Sequence, residues 1–167
     1  MSTLTVRIVG IGSALGADQI GFLALNQLEA AGYKERYPAN LVDLDICKSP
    51  VLLITQRSST QALILLDAYC SDDPVGSVRH IAIEDLDTLH RPASSHGFDL
   101  KQALALSISL EKENPPVSVI GICIGTGVDT TDMQTPRDIL EKSFPALLDA
   151  IDKDILEFMP PGFTPET

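Results

Sequence analysis

Three polar positions, far apart in the sequence, carry side chains that could bind a metal ion or transfer a proton. Asp67 follows the most apolar run of the chain, Ala62–Leu66, where a carboxylate is costly unless it is paired, metal-bound or at an open strand end. Asp18-Gln19 follows the glycine turn Gly10-Ile11-Gly12, and His96 follows two serines. Because an open α/β sheet gathers the carboxyl ends of its strands in one crevice, these residues are predicted to share a metal-contacting cleft.

Each of these side chains also has a simpler structural explanation. Asp67 could accept hydrogen bonds from backbone amides in the Ala68-Tyr69 segment. A histidine in a loop is usually solvated, which is how His80 and His90 are interpreted. His96 differs because it lies among small residues just before a predicted helix. As a metal ligand it would use a neutral imidazole, whose second nitrogen needs an acceptor.

The glycine turn offers an alternative chemistry, nucleotide binding. It lies between a predicted strand and a predicted helix, and Asp45, near the end of the second strand, could hold a ribose. However, Leu15 stands where a dinucleotide fingerprint requires glycine. Asp18 also disfavours a pyrophosphate at that helix N-terminus. The turn is therefore interpreted first as a tight strand-to-helix connection. The case for Ser94 or Ser95 as a catalytic nucleophile is weaker still, because no nucleophile-elbow motif surrounds them.

Composition limits the class of protein. The chain has 167 residues and a net charge of −11, which argues against nucleic acid or an anionic membrane as a partner because both attract cationic surfaces. No apolar run approaches the roughly 20 residues of a membrane-spanning helix. The three cysteines are widely separated and odd in number, as expected for a cytoplasmic protein without disulfides.

Strand-like and helix-like segments alternate along one domain, residues 1–159, and the proline-rich residues 160–167 are expected to form a disordered tail. The predicted fold class is α/β: a three-layer sandwich with a twisted, mostly parallel five-stranded sheet and helices on both faces. The strand after Asp67 is expected to run antiparallel, because its connection is too short for a helical crossover. Pro145 is expected to kink the last helix. Strands are predicted at Leu4–Val9, Leu41–Ile46, Ala62–Leu66, Ser77–Ile83 and Val117–Ile122, and helices after Asp18, after Pro50, at Leu100–Leu110 and from Thr135 to about Phe158.

The order of these segments resembles that of the [NiFe]-hydrogenase maturation endopeptidases, which trim the C-terminal extension of the hydrogenase large subunit after nickel insertion. The resemblance extends from about Leu4 to Ile155. It depends on the following segments: Val9-Gly10-Ile11-Gly12-Ser13, Asp18-Gln19-Ile20-Gly21, Leu65-Leu66-Asp67-Ala68, Pro74-Val75-Gly76-Ser77-Val78, Ser95-His96 with Leu100, Val119-Ile120-Gly121-Ile122 and Met133-Gln134-Thr135-Pro136.

The resemblance implies an aspartyl-type endopeptidase that is cytoplasmic and acts on a nickel-loaded large-subunit precursor. In the family an acidic residue, an aspartate and a histidine contact nickel, and the matching positions here are Gln19, Asp67 and His96. Asp67 and His96 would be catalytic, and the nickel would arrive with the substrate. Two positions depart from the family: Gln19 replaces the acidic residue, and the family's glycine-threonine segment is not preserved at Asp45–Lys48.

Two hypotheses follow from the resemblance. In the first, the protein is a protease in which substrate-borne nickel acts as recognition element and Lewis acid. In the second, it is a non-catalytic member that binds the metal-loaded precursor without cutting it. Gln19 favours the second hypothesis, because a neutral amide is a weaker ligand than a carboxylate and cannot act as a general base. Retention of Asp67 and His96 favours the first.

Overall fold

The structure, a computed structural model, describes residues 4–12, 19–55, 61–86, 100–110, 115–126 and 134–163. These residues form one α/β fold, in which a single sheet has helices on both faces. The strands are β1 (Thr5–Ile11), β2 (Val42–Cys47), β3 (Gln61–Tyr69), β4 (Val78–His80) and β5 (Val117–Cys123). The helices are α1 (Ile20–Ala30), α2 (Val51–Thr55), α3 (Leu100–Leu110) and α4 (Gln134–Phe158), with short 3-10 turns at Lys34–Arg36 and Ile83–Asp85.

The five strands form one mixed sheet in the order β2-β1-β3-β5-β4. All neighbouring pairs are parallel except β4 and β5, which are antiparallel. The predicted fold class is therefore confirmed, including the antiparallel strand at the edge. β3 is central, and its apolar run fits a strand that is covered on both faces.

Alternating side chains of the sheet separate two apolar cores. On one face, even-numbered residues of β3 such as Ile64 and Leu66 pack with α1 and α4. On the other face, Leu63 and Leu65 pack with α2 and α3. The sheet is thus the middle layer of three, and side chains on both of its faces are out of water.

Two glycines let α1 lie directly on the sheet. A Cβ on Gly21 would fall 2.2 Å from the Ile11 carbonyl oxygen and 2.6 Å from the Leu66 carbonyl oxygen. A Cβ on Gly10 would fall 2.4 Å from the carbonyl oxygen of Gly21. Because backbone atoms cannot move aside, only glycine permits this contact. The close approach brings the start of α1 to the carboxyl ends of β1 and β3.

The last helix, α4, is continuous through Pro145 over 25 residues. Proline donates no backbone hydrogen bond, so one bond of the helical ladder is missing there. Two residues earlier the buried Ser143 hydroxyl donates to the Ile139 carbonyl at 2.9 Å, a contact that commonly bends helices. The helix nevertheless extends to Phe158, as the sequence predicts.

The segment after α4 begins with a turn, and the expected disordered tail over residues 160–167 stays a prediction. Pro160–Phe163 forms a turn in which the Phe163 amide donates to the Pro160 carbonyl at 3.2 Å. The Phe163 side chain packs against the α1–α4 core, which gives this turn an apolar anchor. Residues 164–167 lie outside the described residues. Within the described part of the chain, no helix is both long and apolar enough to cross a bilayer.

Candidate functional site

Asp67 lies near the carboxyl end of the central strand. The sequence places it just after the strand, but β3 continues to Tyr69 because β5 pairs with it that far. The pairing of β1 with β3 ends one residue before Asp67, at Gly10 and Leu66. Asp67 is therefore a strand residue at the point where one neighbouring strand ends, and it is only 6% exposed.

The carboxylate of Asp67 is oriented by its own backbone. Its Oδ1 accepts a hydrogen bond from the Ala68 amide at 2.8 Å, as the simpler explanation of this residue expects. Because residues two apart on a strand share a face, the Asp67 side chain lies with Leu65 and Tyr69 on the face that α2 and α3 cover. A buried carboxylate held in this way is pre-oriented, so a ligand need not supply the energy to position it.

Gly121, the register partner of Asp67 on β5, lets other side chains pack across the strand. A Cβ on Gly121 would fall 2.6 Å from Tyr69 Cδ1 and 2.4 Å from Ile81 Cδ1. The glycine therefore lets the Tyr69 ring and the Ile81 side chain close over the strand beside the carboxylate. Sequence reasoning missed this role, because a glycine within an apolar run does not reveal which side chains cross it.

Gln19 stands at the N-terminal end of α1. It occupies the N-cap position with helical backbone angles, and its side chain makes no capping hydrogen bond. The sequence predicts Asp18 as the cap, but Asp18 lies outside the described residues. α1 covers the face of the sheet opposite to the Asp67 side chain. Gln19 and Asp67 therefore lie near the carboxyl ends of the strands but on opposite sides of the sheet. They would have to meet beyond the last β1–β3 pair.

The third predicted ligand, His96, lies outside the described residues, as do His90, Ser94 and Ser95. The proposed grouping of Gln19, Asp67 and His96 therefore stays a prediction. Among the residues that the structure does describe, no three His, Cys, Asp or Glu side chains are arranged to hold a metal ion.

The nucleotide alternative depended on Asp45, and the structure gives that carboxylate other partners. Its Oδ2 is paired with the Arg7 guanidinium, and its Oδ1 accepts from the Ile46 amide at 2.8 Å. A ribose hydroxyl would have to compete with both interactions. Asp45 is therefore best explained as a structural residue that joins β1 and β2.

The two cysteines at strand ends of the sheet are shielded from solvent. At the end of β2, Cys47 is buried and its thiol donates to the Ser49 carbonyl at 3.0 Å. Burial raises the pKa of this thiol above its ordinary value, so it is protonated at neutral pH and neither a nucleophile nor a ready metal ligand. Cys123 is also buried, at the end of β5.

A polar cluster beyond Asp67 was not predicted. The Tyr69 hydroxyl donates to Asp73 Oδ2 at 2.9 Å, and Arg79 Nη1 lies 3.4 Å from the same oxygen. The Arg79 guanidinium also lies 4.8 Å from the centre of the Tyr69 ring. The hydrogen bond from Tyr69 lowers the pKa of the Asp73 carboxyl, and burial raises the pKa of the Tyr69 hydroxyl. The only sequence signal was an aromatic residue two positions after Asp67, on the same strand face.

Comparison with solved structures identifies the fold. The chain is similar to the hydrogenase maturating endopeptidase HybD from E. coli, with 20% identity, a TM-score of 0.61 and coverage of 90% of this chain and 94% of that one. It is also similar to the [NiFe] hydrogenase maturation protease HycI from Thermococcus kodakarensis KOD1, with 21% identity, a TM-score of 0.59 and coverage of 93% and 94%.

A third similar structure is the endopeptidase HycI from Escherichia coli, with 21% identity, a TM-score of 0.56 and coverage of 83% of this chain and 85% of that one. No protein-family model matches the chain, and comparison with curated proteins finds no match. The protein therefore has the fold of the hydrogenase maturation endopeptidases, as the resemblance of its sequence segments predicts.

Proposed function

We propose that this protein is a cytoplasmic hydrogenase maturation endopeptidase that removes the C-terminal extension of a [NiFe]-hydrogenase large subunit after nickel insertion. The observation that carries the proposal is the buried carboxylate of Asp67. It lies near the carboxyl end of the central strand, in a chain whose fold is that of such proteases over nine tenths of its length. In open α/β sheets this edge is where ligands bind.

The proposed substrate is a precursor that brings its own nickel. Gln19, Asp67 and His96 would contact the ion with an amide oxygen, a carboxylate and an imidazole, while soft ligands of the precursor hold it more tightly. A resting protein with few strong ligands would then recognise only loaded precursor. The substrate-borne ion would polarise the scissile carbonyl or a water molecule as a Lewis acid.

Asp67 has the central role in this proposal. Its Oδ1 is already engaged by the Ala68 amide, so the carboxylate presents a fixed geometry to an approaching ion or water molecule. A group held in position in this way lowers the entropic cost of reaching the transition state. His96 would be the second catalytic residue, able to exchange a proton near neutral pH.

The second candidate function is a metal-checking protein that binds the loaded precursor and does not cut it. Gln19 is the observation that favours it, because an amide at the start of α1 supplies no charge to a divalent ion. In that case the fold and the specificity for the precursor would be retained while hydrolysis is lost.

The deciding experiment incubates the protein with nickel-loaded and nickel-free large-subunit precursor and follows the C-terminal cut by mass spectrometry. We expect wild type to cut only the loaded form, and Asp67→Asn to reduce the rate by roughly a hundredfold or more, a typical loss for a catalytic acid or base. Asp43→Asn, at an exposed position of β2, is the matched control and should cut normally.

Gln19→Glu separates the two candidates. If wild type binds loaded precursor without cutting it and Gln19→Glu cuts, the protein is the metal-checking member. Wild-type rates in both Asp67→Asn and His96→Ala would exclude the proposed site. Failure to bind either form of precursor would exclude both functions.

A further inference from the structure

A second polar site lies away from Asp67, where α4 meets the edge strand. Asp154 of α4 is 3% exposed, and its Oδ1 lies 2.8 Å from His80 Nε2 on β4. Its Oδ2 is also buried, and no hydrogen-bond donor reaches it from the described part of the chain. Leaving a buried carboxylate oxygen unsatisfied is costly, so this atom indicates a missing partner.

Asp154 lines a cleft of about 590 Å³ between β4, β5 and the end of α4. Val117 and Val119 of β5 line this cleft, so it lies toward the amino end of that strand, whereas Asp67 pairs with Gly121 further along. The cleft is therefore separate from the proposed proteolytic site. His80 is exposed, as the sequence predicts for a solvated histidine, and its ring also contacts Asp154 at the wall of the cleft.

The chemistry of the cleft is acidic and apolar. Glu84 and Glu157 join Asp154 among its lining residues, and the described part of the lining includes neither lysine nor arginine. Ile83 and Phe158 contribute apolar surface. Such walls fit a cation that is attached to a hydrocarbon stem, since the carboxylates stabilise the charge while the apolar side chains cover the stem.

Two lysines of the described residues contact glutamates of this cleft from its margin. Lys101 Nζ donates to the Glu84 backbone carbonyl at 3.1 Å, and Lys153 Nζ lies 3.9 Å from Glu157 Oε1. Both interactions are exposed, and neither lysine lines the cleft. Neither one supplies the donor that Asp154 lacks.

A metal ion is a poorer match than an organic cation. The cleft offers one unsatisfied buried oxygen, and the described residues contain no cluster of three metal-ligating side chains. An ammonium group needs only one strong acceptor, and it tolerates water or a rim carboxylate at its other donors. We propose that this cleft binds a primary alkylammonium group, of a free amine or of a lysine side chain, whose entry turns the Asp154 carboxylate so that Oδ2 accepts a hydrogen bond from its N–H.

The test is an NMR titration of the full chain with n-butylammonium chloride, with n-butanol as the neutral control and sodium chloride matching the ionic strength. We expect n-butylammonium to shift the backbone amide signals of Ile81, Val119 and Phe158 in a saturable manner. We expect n-butanol to bind at least tenfold more weakly, because a hydrogen bond between charged groups contributes about a factor of ten or more in affinity. Equal responses to both probes, or none to n-butylammonium, would overturn the proposal.

Variants then locate the acceptor. Asp154→Asn, which preserves side-chain shape, should weaken n-butylammonium binding roughly tenfold or more. Glu157→Gln should weaken it only a few-fold because this rim charge is exposed. Asp149→Asn, elsewhere on the exposed face of α4, should change nothing. Unchanged binding in Asp154→Asn would reject the proposal. If that variant does not fold, the proposal requires Glu157→Gln to weaken binding and Asp149→Asn to leave it unaltered.

Two further probes identify the source of the ligand. N-acetyl-lysine amide binding as tightly as n-butylammonium would indicate a lysine side chain of a partner protein, and binding of n-butylammonium alone would indicate a free amine. A zinc salt that shifts the same amides at lower concentration than n-butylammonium, and loses this effect in Asp154→Asn, would replace the proposal with a metal site.

Discussion

Single residues near the carboxyl end of β3 set the electrostatics of that edge. Tyr69 lies two residues after Asp67 and donates to Asp73, whose carboxyl is also close to Arg79. Hydrogen bonds from Tyr69 and at Ser71 stabilise the charged form of Asp73 and hold its pKa below the ordinary value of 3.8. This exposed carboxylate therefore stays ionised in mildly acidic solution.

Removing the Tyr69 hydroxyl tests whether its hydrogen bond lowers the pKa of Asp73. Tyr69→Phe removes the largest contribution to the shift, so the pKa of Asp73 should rise toward 3.8, as measured by carboxyl NMR during an acid titration. Since the folded-state pKa is the lower one, this interaction stabilises the fold above about pH 4 and is lost as pH falls through the folded pKa.

The stability difference between Tyr69→Phe and wild type should therefore shrink on acidification. Tyr33→Phe, which removes a hydroxyl bonded to Asp152 instead, should leave the Asp73 titration unchanged. If Asp73 titrates identically in wild type and Tyr69→Phe, the hydrogen bond is not the cause of the shift.

Residue types alone drew attention to Asp67, because a carboxylate beside a run of five apolar residues needs a special explanation, and the structure shows it buried; its role in the site stays a prediction. The partners of other polar residues were not predictable in that way. His80 and Asp154 are 74 positions apart and meet only because α4 packs beside β4. Nothing in the local sequence of His80 distinguishes it from a solvated histidine.

At the scale of elements, periodicity predicted α3 at its observed bounds, Leu100–Leu110, and placed the other strands and helices within a few residues. The two clearest differences have the same origin. β3 is longer than predicted because β5 pairs with it beyond Asp67, and β4 is shorter because only Val78–His80 pairs with β5. Strand ends depend on the partner strand, which a local pattern does not contain.

The contact between α1 and the sheet determines where Gln19 lies. Gly21→Ala would place a methyl group against the Ile11 and Leu66 carbonyl oxygens, so α1 must move away from the sheet. We expect a loss of about 1–3 kcal/mol in the free energy of unfolding, measured with urea. Cleavage of loaded precursor should fall as well, because the start of α1 moves with the helix.

Asn26→Ala is the control on the exposed side of the same helix, and it should keep both stability and cleavage close to wild type. A Gly21→Ala protein as stable and as active as wild type would show that the close approach is not needed for either property.

For the whole molecule, one polar cluster ties the first third of the chain to the last helix. Tyr33 and Tyr37 both donate to Asp152 Oδ1, at 2.5 and 3.0 Å. Their rings also lie 5.5 Å apart, and Arg36 Nη2 is 3.3 Å from Asp152 Oδ2. Burial raises the pKa of the Tyr33 hydroxyl, so it remains a donor throughout the physiological range.

Removing the shared acceptor should loosen this link. In Asp152→Ala the buried Tyr33 hydroxyl keeps only Tyr37 as a partner, at 3.1 Å, and we expect a loss of about 1–3 kcal/mol in the free energy of unfolding. Urea denaturation measures it. Asp149→Ala, at an exposed position of the same helix, should lower the free energy of unfolding far less. Equal losses in the two variants would show that Asp152 is not a stabilising acceptor for the tyrosines.

The two outer strands of the sheet also bear on how the protein behaves at high concentration. An unpaired strand can act as a template onto which another chain adds, which is a route to aggregation. β4 offers only three residues for such growth, and β2 carries Asp43 and Asp45, whose side chains are 58% and 40% exposed. A second copy adding to β2 would have to remove water from these two carboxylates and from their Lys34 and Arg7 partners, so both edges of the sheet disfavour such growth.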